Sequence, residues 1–510
     1  MKSTKKRGII ARFQRMLRTI FGATDDTPRG LQERQDMYWI VLAVAHRKLR
    51  MANQIHHIRG YTEQLPTSSR HNRLIWQEES SEQIEQLMDE AVNFLDEKTD
   101  LSEMSILRLR SEMQKFLGPQ VVQMMTLAYD VNEGMRKVND DEYTFEEDEE
   151  QEYREIILNE YDHVCQLLHN SSGGRKDVIT NGTRTPDPVS FYQIKKGAIE
   201  TLLTHFNWWP GQTKLHAQTT DNEQDGMDNF GFAPKDADSD ILPAMRYYHV
   251  RNLVRSSLVR RAIAKSNLGN EDSQQPHFTY SLLTFKSTIP SSGRGVFVDG
   301  FAPAGTLLSF IPGKVWPKEH LQSASLHTQM QLSQNDPRHQ LSMRYDDILI
   351  DSRQSPYTVV DNLFALGHIV NHPPVPTASA PLLNHAVTPD LQCENDEDSI
   401  IRRQPRLGPN CVTVPINFTE RMFEGDNDKL RSYIPNEYEI PPTNVSKGMF
   451  EKDNIIMHGM GLVALRDVED EELFYDYRLS PGEGGKGQYP SWYHVWDEVA
   501  MHNRWENDDS

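Results

Sequence analysis

Two tyrosines one residue apart, Tyr475 and Tyr477, end the segment Asp467-Val468-Glu469-Asp470-Glu471-Glu472-Leu473-Phe474-Tyr475-Asp476-Tyr477. A phenol titrates near pH ~10, so at neutral pH each is a fixed hydroxyl dipole rather than a base. Such a group can orient an amine or line the path of a transferred group. Three upstream pieces have the composition of a ligand cradle. Gly293-Arg294-Gly295 leads into Val296-Phe297-Val298, Asn371-His372 ends an apolar run, and Pro409-Asn410-Cys411 precedes Val412-Thr413-Val414. Glycines without Cβ let the backbone approach a ligand closely, and an asparagine amide offers both a donor and an acceptor. Each piece also has a plain structural reading: a turn, a helix C-terminus, a pair of sheet aromatics.

In this order and spacing the four pieces resemble the SET-domain methyltransferases. The resemblance covers roughly residues 278–480, about two fifths of the chain. It implies an α+β protein whose C-terminal part is a SET β-fold of short strands with a knot-like crossing. It implies S-adenosyl-L-methionine as cofactor, held by Gly293, Arg294, Gly295, Asn371 and His372. Tyr477 falls at the family's catalytic tyrosine, and Tyr475 at the position that tunes how many methyl groups fit. The activity implied is methyl transfer to a protein side chain, lysine, ending mainly at the monomethyl product. That chemistry is an in-line displacement, so the protein's task is positioning. The amine must also lose its proton from a reference pKa of about 10.4, which burial helps. The family's Asn-His and Pro-Asn runs are continuous. Here Asn371-His372 meets Pro373-Pro374, and residues 373–408 intervene. That insertion is rich in Pro, Asn and Asp and carries Arg402, Arg403 and Arg406. It reads as a surface loop, and loop closure grows costlier only slowly with length. The split motif also fits a second reading, a catalytically weak or inactive SET scaffold that binds protein partners.

The elements that must position these groups are short. Ser281–Phe285, Gly295–Val298, Thr306–Pro312, Ile348–Ile350 and Gly461–Leu465 read as strands between Gly and Pro turns. Asp361–Val370 reads as a short helix with Asn371-His372 at its end, and Glu420–Arg431 as an inserted helix. A tail helix is expected within 481–510, with Trp492, Trp496, Val499 and Ala500 at helical spacing, over the substrate channel or a sheet edge. Upstream, residues 31–59 carry the stripe Met37, Ile40, Val41, Val44. Ser80 with Gln83 makes a capping box ahead of Ile84, Leu87, Met88 and Leu95. Glu103–Ala128 carries Ile106, Leu109, Met113, Leu117, Val121 and Met124 or Met125, and Glu155–Leu168 reads as a further helix. The organisation expected is a basic segment over 1–30, a helical domain with an acidic run over 31–168, a partly disordered linker with short helices over 169–277, the SET region over 278–480, and the tail. The aromatics Phe206, Trp208 and Trp209 are expected against the next domain.

A net charge of −20 over 510 residues argues against direct nucleic-acid binding, which needs a basic footprint. It suits a basic peptide or protein substrate. Cys165, Cys393 and Cys411 lie far apart with no CxxC, so neither a disulfide framework nor a zinc cluster is supported and no metal is expected. The first 24 residues hold seven Lys or Arg and no acid. With Ile9, Phe13, Met16, Leu17 and Ile20 on one face, they fit a mitochondrial transit peptide. The same composition fits a membrane-surface helix, a nuclear-import patch or a solvated tail. Met37–Ala45 is the best apolar run and His46-Arg47-Lys48 breaks it, so no membrane span is expected. The sequence carries no signature of an oligomeric state.

Overall fold

The computed structural model describes residues 32–34, 36–37, 39–41, 43–44, 106–134, 147–172, 188–210, 241–269, 279–289, 292–317, 341–352, 362–374, 408–439, 454–479 and 493–496. The basic segment 1–30, the capping-box helix after Ser80 and the insertion from 375 to 407 lie outside these.

Leu109, Met113, Leu117, Val121 and Met124 recur every three to four residues, the helical period. They form the buried stripe of α1 (Ile106–Gly134), which runs past the expected end at Ala128. Pro119 inside α1 removes one backbone donor. The neighbouring Gln120 turns its side chain to the sheet, where its Oε1 accepts the Leu307 amide at 2.9 Å. The described residues of 32–44 are helical, and Met37, Ile40, Val41 and Val44 are buried in the same core as the strands. Helix α2 (Glu147–Ser172) starts inside the acidic run. Carboxylates suit the N-terminal end of a helix.

The short helices expected within the linker stretch are present as two core helices, α3 (Pro188–His205) and α4 (Ile241–Gly269). Lys195 of α3 is buried between Glu160 of α2 at 2.6 Å and Asp299 at 2.8 Å, and Arg260 of α4 also pairs with Glu160. Burial alone would raise the Glu160 carboxyl, but Lys195 and Arg260 hold it at about 2. The aromatics after α3 pack on α2 instead of on a following domain. Trp208 is buried with its Nε1 donating to Glu150, and the Trp209 ring meets Tyr161 edge-on at 5.2 Å. They turn back because Arg154 of α2 donates to the Trp208 carbonyl at 2.9 Å.

The C-terminal half is built of strands, so helices lie mostly in the N-terminal part and strands in the C-terminal part: an α+β arrangement. One sheet orders β1 (Thr279–Lys286), β2 (Arg294–Ala302) and β10 (Val468–Glu469), antiparallel throughout. A second orders β3 (Leu307–Ile311), β9 (Ile455–Ala464) and β7 (Cys411–Thr419). A third orders β5 (Leu341–Met343), β6 (Leu349–Asp351), β4 (Gly313–Trp316) and β8 (Asn436–Tyr438), the last pair parallel. Strand β1 is buried from Tyr280 to Phe285 because α4 packs on it. Ser281 inside it meets the Ser256 hydroxyl of α4.

Two expected helices are corrected. Asn362–Val370 forms turns and a single 3-10 turn, Gly367–Ile369. The Phe364 carbonyl is taken by the Phe310 amide and the Ser309 hydroxyl of β3, at 2.9 and 2.6 Å, which leaves it unavailable to a helix. Glu420–Arg431 is two 3-10 segments, Glu420–Phe423 and Gly425–Tyr433, parted where Gly425 takes φ 64°. Of the range expected to hold a tail helix only Tyr493 to Trp496 are described, and these four are not in a helix; the rest of that range lies outside the described residues. Among the described residues no helix is long and apolar enough to cross a membrane.

Candidate functional site

The site gathers around Glu472, whose side chain is buried. Its Oε1 accepts the Ser287 hydroxyl at 2.7 Å, and its Oε2 accepts the Thr288 amide at 2.7 Å and the Thr288 hydroxyl at 2.5 Å. Burial raises this carboxyl above its ordinary range, and those donors oppose the rise. Glu472 thereby ties the loop after β1 to the Gly293-Arg294-Gly295 turn. Gly293 has φ 69°, a left-handed conformation that suits glycine. A Cβ on Gly295 would lie 2.0 Å from Glu472 Oε1. The space beside Gly295, where the missing Cβ is expected to let the backbone approach a ligand, is therefore taken by this carboxylate.

Asn371 forms a parallel bridge with Phe474, and its carbonyl accepts the Tyr475 amide at 3.1 Å. Its side-chain Nδ2 donates to Arg294 O at 2.8 Å and approaches Ser287 Oγ and Glu472 Oε1 at 3.2 Å each. From the other side, Asn410 Nδ2 donates to Glu472 O at 2.8 Å and Asn410 Oδ1 accepts the Phe474 amide at 2.8 Å. The two halves of the split motif, 371–372 and 409–411, thus meet across Glu472–Phe474 despite the insertion.

His372 is buried. Its Nδ1 faces the Tyr477 amide at 3.3 Å, and its Nε2 lies 3.0 Å from the His494 carbonyl and 3.3 Å from the His494 amide. Burial lowers its pKa, partly countered by Asp476 at 3.7 Å. Tyr493 stacks on the imidazole at 4.5 Å, and its hydroxyl donates to Asp476 Oδ1 at 3.0 Å. Tyr493 and His494 therefore close over His372.

The Tyr475 and Tyr477 rings lie 4.9 Å apart. The Tyr477 hydroxyl donates to Val370 O at 3.0 Å. Burial pushes its pKa to about 12 and that of Tyr475 well above the ordinary value, so both are neutral phenols. At Tyr477 a backbone hydrogen bond from His372 opposes the rise. Arg294 stands near two histidines, His249 of α4 and His368; burial, and then the Arg294 charge, push both down to about 3. His368 Nδ1 is buried without a hydrogen-bond partner in the described residues, a polar atom that an acidic ligand group could satisfy. No cluster of His, Cys, Asp or Glu suited to a metal occurs among the described residues.

All seven residues expected at the site fall in this one region. Sequence reasoning placed Glu472 and Asn410 inside motif pieces without naming them as site residues, and gave no role to Tyr493. Only the glycine at 295 hinted at Glu472, as a place where a side chain is missing. No family model matches this chain, and no curated protein matches it.

Proposed function

We propose that the chain is an S-adenosyl-L-methionine-dependent methyltransferase acting on a protein side chain, lysine, through a SET-type site with its knot-like crossing. The reading rests on one observation: Asn371 and Asn410 clasp Glu472–Phe474 from both sides and so bring the divided motif to Tyr475 and Tyr477. The wording of Ile348-Leu349-Ile350-Asp351 and Pro409-Asn410-Cys411 is most like the SET domain-containing protein 9 group. The residues present fit the cofactor. Arg294 and His368 would hold its carboxylate, the turn at Gly293 would give it backbone, and His372 would present main-chain groups. When bound, the cofactor supplies an electrophilic methyl group on sulfur. Tyr477, its hydroxyl fixed on Val370 O, would orient the neutral target amine as a positioned dipole. Tyr475 walls the channel beside it, and the surrounding burial disfavours the ammonium form of the substrate.

One observation favours the second reading, a scaffold without activity. The Asn371 amide nitrogen and the space beside Gly295 are both engaged within the protein. Transfer of labelled methyl groups from S-adenosyl-L-methionine to lysine-containing basic peptides, with Tyr477→Phe beside the wild type, separates the two. Label on lysine with the wild type, lost in the variant, is expected. No label on any peptide or protein mixture supports the scaffold.

A further inference from the structure

Arg478, next after Tyr477, has φ 53°, a region that a residue other than glycine keeps only where its surroundings hold it. Its surroundings hold it twice. The Arg478 amide donates to Asp476 Oδ1 at 2.9 Å, the oxygen that also accepts the Tyr493 hydroxyl. Its guanidinium forks onto both carboxylate oxygens of Asp36, which also accept the Tyr345 hydroxyl. A two-pronged pair fixes the plane of the guanidinium as well as its position. Asp36 is itself buried, on the helical stretch at 32–44 whose Met37, Ile40 and Val41 lie in the core. The far N-terminal part of the sequence therefore reaches the residue beside the candidate catalytic tyrosine.

We infer that Asp36 is a positioning residue for Tyr477: by holding Arg478 in its left-handed turn it aims the Tyr477 hydroxyl. Its effect on catalysis rests on the methyltransferase reading; its effect on the tyrosine does not. Glu33, on the same stretch, provides the comparison. Its carboxylate is forked by Arg110 of α1 at 2.5 Å, so it fastens the helix without touching Arg478.

The test is carried out on the full chain, with 3-fluorotyrosine placed at position 477 and read by fluorine NMR. Asp36→Asn shifts or splits the resonance at a temperature where the far-ultraviolet spectrum matches the parent, and Arg478→Lys does the same. Glu33→Gln leaves the resonance in place. In methyl transfer, Asp36→Asn lowers kcat roughly tenfold or more, the scale of a small misplacement, with KM for the cofactor within about twofold. An unchanged resonance in Asp36→Asn overturns the inference. So does an equal shift in Glu33→Gln, which would make the helix mere packing. Should Asp36→Asn not fold, Asp36→Glu keeps the charge, displaces the fork and gives the same readout. A wild type that transfers no methyl group refutes the methyltransferase reading, while the fluorine signal still decides the role of Asp36.

Discussion

Glu472 and Gly295 are matched: the carboxylate oxygen of the first stands 2.0 Å from where a Cβ on the second would lie. The same oxygen holds Ser287, and its partner oxygen holds Thr288. Neither group can move without releasing the loop that carries Gly293 and Arg294.

Gly295→Ala should therefore push Glu472 off its donors and leave a buried carboxylate badly paired. Unsatisfied buried groups cost about 1–3 kcal/mol each, more when charged, so a loss of about 2–4 kcal/mol is expected by chemical denaturation. A change under about 0.5 kcal/mol, the scale of an ordinary surface substitution, would show that the carboxylate swings away freely.

Lys195→Met tests whether the 169–277 stretch is part of the core. It removes the buried cation between Glu160 and Asp299 and leaves Arg260 as their remaining charged partner, so the loss should fall below the roughly 3–5 kcal/mol of a buried charge left wholly unpaired. The midpoint of unfolding should fall accordingly. A nearly unchanged midpoint would mean that α3 contributes little to the fold.

Acid stability follows from the buried histidines. Burial, aided by nearby arginines, pushes His249 and His368 down to about 3 and His458 to about 4. The unfolded chain, with ordinary pKa values near ~6.5, therefore binds more protons than the fold below that pH. Stability is full above pH ~6.5 and falls as pH drops toward 4, by about 1.4 kcal/mol per unit for each group fully engaged. Below pH ~4.5 two carboxyls steepen the loss: burial alone would raise Glu160 and Asp346, but Lys195 and Arg260 beside the first and Arg344 beside the second hold both at about 2. His249→Leu should flatten the slope between pH 6 and 4 by close to one proton. An unaltered slope would contradict the neutral, buried state of this ring.

The tyrosines should behave differently from one another. Tyr477→Phe removes the hydroxyl held on Val370 O and should lower the transfer rate by roughly 10²–10³, as for other positioned polar groups. Tyr475→Phe removes one oxygen and keeps the ring. It should retain activity and add di- or trimethylated product, seen by mass spectrometry on a methylated peptide. A fully active Tyr477→Phe, or an unchanged product distribution in Tyr475→Phe, would make the two assignments wrong.

What could be read from the sequence was local. The α1 stripe, the strands at 281–285, 295–298 and 348–350, and the turn glycine Gly305, with φ 78°, all announce themselves by period or residue type. The seven residues expected at the site fall in one region because Asn371 and Asn410 both bind the Glu472–Phe474 segment. What escaped depends on partners far away in the chain. Lys195 and Arg260 look like surface charges until Glu160 and Asp299 are placed beside them. The helix expected over 361–370 gives way because Ser309 and Phe310 claim the Phe364 carbonyl. Asp36 and Arg478 are 442 positions apart, a separation at which no periodicity speaks.

Calorimetric titration of the full chain with S-adenosyl-L-methionine tests the central claim most directly, since it needs no knowledge of the methylated protein. The full chain is required because α3 and α4 are built into the same core as β1 and β2. The account predicts one site with a Kd in the micromolar range, about −7 to −8 kcal/mol, weakened when Arg294 is replaced by Met. Absence of heat at high protein concentration, with the chain folded, would contradict it.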